Sequence, residues 1–343
     1  MLNRTEQFLN DPVFPLLVRM SAPNTIAFFI QAIVVLAEVW FISKLGTTSL
    51  AAVALAFPVI MLTQQMAFGA LGGAVTSSIA RSLGAEDKER AEKLLWHSLL
   101  LSCCGYLLFF LIFFIGGESL LMALGGEGSL LEESLLYIKI FLTGAIFIWL
   151  SGTLSAALRG IGNMRFPALL MIVGSSIQVI LAGGLILGWF GLPKLGIIGA
   201  PLSAISVAAL MAIVMIFKFM HSSSNVQLKL SNLSFKKELF RDIFNVALPA
   251  SLAPIFTVGT ILILTGLVGQ FGVSALAGYG IGSRIEFLMI PLVFGIGTAM
   301  TTMVGTNIGA KKIKRAERIG WLGGSFAGLF SGMIGLILIL SSG

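Results

Sequence analysis

Leu83-Gly-Ala-Glu-Asp-Lys-Glu-Arg-Ala-Glu-Lys-Leu-Leu-Trp96 and Ile308-Gly-Ala-Lys-Lys-Ile-Lys-Arg-Ala-Glu-Arg-Ile-Gly-Trp321 are two versions of one phrase, 225 residues apart. Each is a short charged step between two long apolar runs. Upstream the match continues at an offset of 226, with Pro23 on Pro249, Gly46 on Gly272, Leu50-Ala51 on Leu276-Ala277 and Phe68-Gly69 on Phe294-Gly295. One residue is gained or lost between the two registers, inside the second apolar run or its partner. A match spread over three consecutive apolar runs marks a long-period internal duplication.

The surrounding composition says what is duplicated. Of 343 residues, 57% are hydrophobic and 11% charged, against about 25% charged in a soluble domain. Mean hydropathy is +1.00. This excludes a soluble globular fold, a disordered chain and a nucleic-acid-binding domain, despite a net charge of +7. Two cysteines, Cys103 and Cys104, and two histidines, His97 and His221, are too few for a disulfide framework or a metal cluster. The 40 glycines suit closely packed membrane helices. A membrane helix needs about 20 apolar residues. Nine stretches qualify: 15–42, 51–79, 94–116, 134–157, 167–190, 195–218, 243–270, 281–305 and 319–340. Their apolar runs are continuous and do not alternate, so a β-barrel is excluded. The polar first ten residues carry no cleaved signal peptide pattern. The expected fold is all-α, a polytopic membrane protein of nine transmembrane helices.

Basic residues are distributed unevenly. The loops after even-numbered spans hold Arg81, Lys88, Arg90 and Lys93, then Arg159 and Arg165, then Lys218, Lys229, Lys236, Lys237 and Arg241, then Lys311, Lys312, Lys314, Arg315 and Arg318. The other four loops hold only Lys44 and Lys194. The positive-inside rule then puts the N-terminus in the cytoplasm and the end of this chain outside, in the plasma or inner membrane.

An even number of spans separates the two copies, so both enter the membrane in the same direction, a parallel repeat. The expected organisation is a six-helix N-lobe (1–218), a cytoplasmic linker (219–242) containing Ser222-Ser-Ser-Asn225, and a three-helix partial C-lobe (243–343). Spans 4–6 have no second copy, so the chain reads as a six-plus-six design stopping after its ninth helix.

Leu45-Gly-Thr-Thr-Ser-Leu-Ala-Ala-Val53, Leu158-Arg-Gly-Ile-Gly-Asn163 and the two Arg-Ala-Glu loops resemble the multidrug and toxic compound extrusion (MATE) transporters. The resemblance implies two six-helix lobes around a central cleft, and export of organic compounds in exchange for H⁺ or Na⁺. No other cofactor is expected.

Of fifteen acids, two fall within expected spans, Glu38 and Glu286. A charged side chain at the centre of a membrane helix costs about 2.5–3.5 kcal/mol on insertion scales, so each is a functional candidate. A carboxyl there can exchange a proton, or hold Na⁺ with neighbouring oxygens. Asn24, Gln31 and Glu38 recur every seven residues and share one stripe of the first span. Pro23, at the base of that stripe, removes a backbone hydrogen bond and can bend the helix. The alternative for Glu38 is snorkelling from near the helix end. The resemblance implies that Glu38 takes the place of an Asp before a Leu-Gly pair, here Leu45-Gly46. It also sets Gln178 and Ala182 where one branch of the family carries Asn and Asp, so a second carboxylate is missing. Another branch uses an acid in the seventh helix, and 243–285 contains none.

Gln178, with Ser175 one turn earlier, can hydrogen-bond Glu38 or a substrate, or hold helices together. Gln64 and Gln65 face the same choice. Glu286, two residues from Arg284, either pairs with another helix or lines the cleft. Cys103 and Cys104 read as small packing residues. The expected function is secondary efflux by antiport. The expected substrate is a small organic compound, with organic cations inside that class, and the expected protein is a monomer in lipid that binds no nucleic acid. A lipid-linked sugar flippase of the same superfamily is the nearest alternative, but no Lys or Arg is expected deep in spans 1–6, with Lys139 nearest. An intramembrane enzyme lacks the required constellation, and a non-transporting fragment is the third reading.

Overall fold

The computed structural model describes residues 4–221, 226–271 and 273–340, with the side chains of 4, 262, 265, 266, 269, 273–289, 292 and 337–339 outside the description. Among the described residues the regular structure is helical throughout. A short α1 (Arg4–Asn10) leads into α2 (Val13–Ser43). The next rod, Thr47–Gly84, is built from α3 (Thr47–Gln64), a π-helical segment (Gln65–Leu71) and α4 (Gly72–Gly84). Then follow α5 (Lys88–Ala123), α6 (Gly128–Gly160), α7 (Arg165–Leu187), α8 (Gly199–His221), α9 (Lys237–Gly269), α10 (Val273–Gly309) and α11 (Ile313–Leu340). Among the described residues, eight of these stretches are long and apolar enough to cross a membrane. The expected eighth span, 281–305, lies inside the 37-residue α10. At about 1.5 Å per residue, α5 and α10 overshoot a hydrocarbon core of about 30 Å. Polar turns therefore extend each helix past the apolar window that marks it in the sequence.

The outer surface is apolar, as lipid requires: Leu107, Leu108, Phe114 and Ile115 of α5 and Leu169 and Ile180 of α7 are exposed. Cys103 and Cys104 are exposed on α5 and are not interior packing residues. The buried set is rich in Ala and Ser, small residues that let helices approach.

The repeat is visible in backbone detail. Glu86 and Lys311, partners at the 225 offset, both take left-handed φ, 61° and 59°. Asp87 N–H donates to Ser82 O at 2.9 Å, and Lys312 N–H to Asn307 O at 2.8 Å. These are the same helix-ending turn, whose amides satisfy the last free carbonyls. Asp87 then caps α5, accepting from Arg90 N–H at 2.8 Å.

The inserted residue also has a location. The 226 offset holds through Gly69/Gly295 and the 225 offset from Gly72/Gly297, leaving Ala70-Leu71 opposite Ile296 alone. The π segment ends at Leu71. Its wider i→i+5 turn takes up one extra residue without breaking the rod, and α10 is α-helical throughout.

Two closely packed seams join the repeats. Ala80-x-x-x-Gly84 on α4 meets Gly305-x-x-x-Gly309 on α10. A side chain at Gly84 would strike the carbonyl of Thr306, one at Gly309 that of Arg81, and one at Gly305 the Cβ of Ala80. These are reciprocal pairs at the 225 offset, as a two-fold relation demands. On the second seam Gly295 packs on Thr25 of α2, and Phe28 stacks edge-on with Phe294 at 5.9 Å.

Two expectations change. Arg159 does not sit in a loop: α6 continues to Gly160, and Arg159 is 4% exposed with Nη1 donating to Ser155 Oγ at 2.8 Å. The helix ends one turn later because Gly162, at φ 82°, adopts the left-handed turn, with Asn163 N–H donating to Leu158 O. Arg159 is thus the penultimate residue of α6, at its basic end, while Lys139 lies exposed further along the same helix. The linker is also shorter than 219–242, since α8 reaches His221 and α9 starts at Lys237. Residues 222–225 lie outside the description. The remainder is tied to α5: Glu92 accepts from Asn232 Nδ2 at 2.6 Å, Trp96 Nε1 donates to Lys229 O at 2.9 Å, and His97 Nε2 accepts from Lys236 N–H at 3.0 Å. Asp242 of α9 pairs with Arg81 and Arg90 at 2.6 and 3.1 Å.

Candidate functional site

α2 runs unbroken past Pro23, so its seven-residue polar spacing survives as one face. α7 lies along that helix. Gln178 Nε2 donates to Glu38 Oε1 at 2.9 Å, and Ser175 Oγ donates to Gln31 Oε1 at 2.8 Å. Asn24, 2% exposed, donates from Nδ2 to Thr298 Oγ1 of α10 at 3.3 Å and approaches Met164 Sδ at 3.4 Å. The stripe is polar and paired, and Glu38, half-buried, is held by Gln178.

Ser203 of α8 lies near the Glu38 carboxyl, with its own hydroxyl donating to Ala200 O at 2.7 Å. The buried Tyr137 of α6 lies close enough to feel its charge. Glu38 thus sits where α2, α6, α7 and α8 converge, all within the N-lobe. Among the described residues it has no ion-pair partner. An acid held only by neutral groups can exchange its proton or cation without breaking a salt bridge. The Gln178 amide suits both states, since Nε2 donates to a carboxylate and Oε1 accepts from a carboxylic acid.

Other candidates separate from this cluster. Ser175 serves Gln31 and not Glu38. Ala182 is fully buried where a second acid would stand. Gln64 is exposed at the junction of α3 and the π segment, and Gln65 is partly buried in that segment. No described bond joins either to Glu38. The Glu286 and Arg284 side chains lie outside the described residues. Among the described residues no three His, Cys, Asp or Glu side chains gather to hold a metal. Ser203 and Tyr137, neighbours of Glu38, and Thr298, the partner of Asn24, are residues the sequence did not single out. Each is a lone polar residue in an apolar run, visible by type but not by direction.

The MatE family model matches residues 23–183 and 249–343, the two ranges that contain the repeated helices. The chain belongs to the MatE family. The relatives it resembles include the "FAD transporter" of Shewanella oneidensis, 26% identical over 90% of this chain and 68% of that one. The "Probable multidrug resistance protein NorM" of Thermotoga maritima is 26% identical over 94% and 69%. "Probable multidrug resistance protein YoeA" of Bacillus subtilis is 27% identical over 80% of this chain and 60% of that one. This MatE chain thus spans between three fifths and seven tenths of these relatives' lengths. Among solved structures, "Crystal structure of MATE in complex with MaL6" matches with a TM-score of 0.89 at 26% identity, covering 99% of this chain and 74% of that one. "Outward-facing conformation of a multidrug resistance MATE family transporter of the MOP superfamily" matches at 0.90 and 27%, covering 100% and 75%. Membership places the chain among membrane transporters, not enzymes.

Proposed function

We propose that this MatE scaffold performs secondary export of small organic compounds in exchange for H⁺ or Na⁺, with Glu38 as the coupling group. The observation that carries this reading is the Glu38–Gln178 pair, a carboxyl among neutral donors inside the N-lobe. Loading a proton or Na⁺ there removes a negative charge from the contact between α2 and α7. That biases how α2 packs, and with it which end of the cleft is open. The close seams between the repeats run from mid-bundle to the end carrying the basic loops. Likeness to an outward-facing structure supports reading this state as closed at that basic end. The relatives' names support organic substrates, with organic cations and a flavin dinucleotide as the two chemistries to compare. The flippase alternative calls for cations lining the cleft. Arg159, at the basic end of α6, is instead buried, with its carbonyl accepting from Thr302 of α10.

The test is counterflow in proteoliposomes under an imposed pH or Na⁺ gradient, with Glu38→Gln as the comparison. The variant keeps size and loses charge. It is expected to insert and purify normally and to lose gradient-driven transport. Wild-type rates from Glu38→Gln, or no transport of any test substrate by the parent chain, would reject the proposal.

A further inference from the structure

At the basic end of α2, a cavity of about 100 Å³ opens between α1, α2 and the α6–α7 turn. Arg19 and Arg165 stand on its wall, with Gln7, Asn163 and Pro23. Both arginines are exposed. Among the described residues neither guanidinium has a hydrogen-bond or ion-pair partner, and no acid lines the cavity. Two unpaired guanidiniums around a recess of this size form an anion site, because the planar fork matches phosphate oxygens.

The wall above the recess is apolar. Ile26 and Ile33 follow Arg19 at seven-residue steps on α2 and are 54% and 53% exposed. Leu169 and Val173 follow Arg165 at four-residue steps on α7 and are 61% and 54% exposed. Each of these adjacent helices therefore presents an arginine at its base and an exposed apolar stripe above it. That is the outline of an amphiphile with a phosphate at the rim and an acyl chain alongside the helices. A free phosphate would use only the lower half.

We infer that the recess between Arg19 and Arg165 binds the phosphate of an anionic phospholipid headgroup. Its wall includes Pro23, so an occupied site packs against the base of α2. The bound lipid braces the helix that carries Glu38. Headgroup binding itself does not depend on the transport reading.

The experiment is native mass spectrometry of the purified full chain with phosphatidylglycerol or phosphatidylcholine, and with inorganic phosphate as competitor. Two rim guanidiniums should favour phosphatidylglycerol by roughly 30-fold. Arg19→Gln with Arg165→Gln should abolish the preference, and Arg19→Lys with Arg165→Lys should keep most of it. If the double glutamine variant does not fold, each single variant should lose about fivefold. Equal retention of the two lipids by the parent chain would overturn the inference, as would a preference that survives loss of both charges. Displacement by inorganic phosphate at equal concentration would reassign the site to a soluble anion and also overturn it.

Discussion

Glu38 illustrates what a single residue can say. Its type and position in an apolar run mark it as costly, and the spacing to Gln31 and Asn24 puts the three on one face. That much was legible in the sequence. The partner of each was not, because helix periodicity gives direction around one axis and nothing about the rotation of a neighbour. Gln178, not Ser175, meets Glu38, and Asn24 reaches across to the C-lobe. Removing the Gln178 donor is the informative change. A hydrogen bond to a charged group contributes about 1.5–3 kcal/mol. Without it the carboxylate is less satisfied and holds its ion more tightly. For Gln178→Leu we expect the half-maximal ion concentration for transport to fall at least 10-fold, by about 1.4 kcal/mol per decade, with slower turnover as release becomes limiting. Ser175→Ala, which touches Gln31, should change it by a much smaller factor. Equal shifts in the two variants would show that the assignment of partners is wrong.

At the scale of elements, the long offset in the sequence foretold the repeated helices, and the left-handed turns at Glu86 and Lys311 give it a structural counterpart. The change of offset by one residue was legible as well, but not its form. Only the backbone shows that a π turn at Gln65–Leu71 absorbs it. Arg159 was misplaced because a charged residue near an apolar boundary reads as loop. The helix end is instead set by Gly162, three residues later. The α4–α10 seam makes its own prediction. A Cβ at Gly84 or Gly309 meets a backbone carbonyl of the opposite helix, which cannot rotate aside as a side chain can. Gly84→Val and Gly309→Val should each lower stability by about 1–3 kcal/mol. Spin labels on the α4–α5 and α10–α11 turns should read a longer distance in both variants. Gly73→Ala, with nothing within 4 Å of its added methyl, is the control. An unchanged distance and melting temperature in the valine variants would mean that the seam is not close-packed.

For the whole molecule, the end that faces the cytoplasm sets the direction of exchange. With Arg159 buried, the basic end still keeps fifteen cations, in its turns and in the helix ends beside them: Arg81, Lys88, Arg90, Lys93, Arg165 and the ten from Lys218 to Arg318 named above. The far end has Lys44 and Lys194. Cations resist translocation, and the cytoplasmic leaflet carries the anionic surface potential that attracts them, so the basic end should lie inside. Glu38 is then five residues from the far end of α2 at Ser43, within reach of ions entering from outside. An ion gradient directed inward would load that site first, and the substrate would leave in the opposite direction. In a background lacking Cys103 and Cys104, single cysteines at the exposed positions Lys194 and Lys229 report the two ends. An impermeant maleimide applied to intact cells should label Lys194→Cys at once and Lys229→Cys only after permeabilisation. The opposite pattern would invert the chain. It would also turn the same Glu38 geometry into a site loaded from the cytoplasm, which an exporter driven by inward ion flow cannot use.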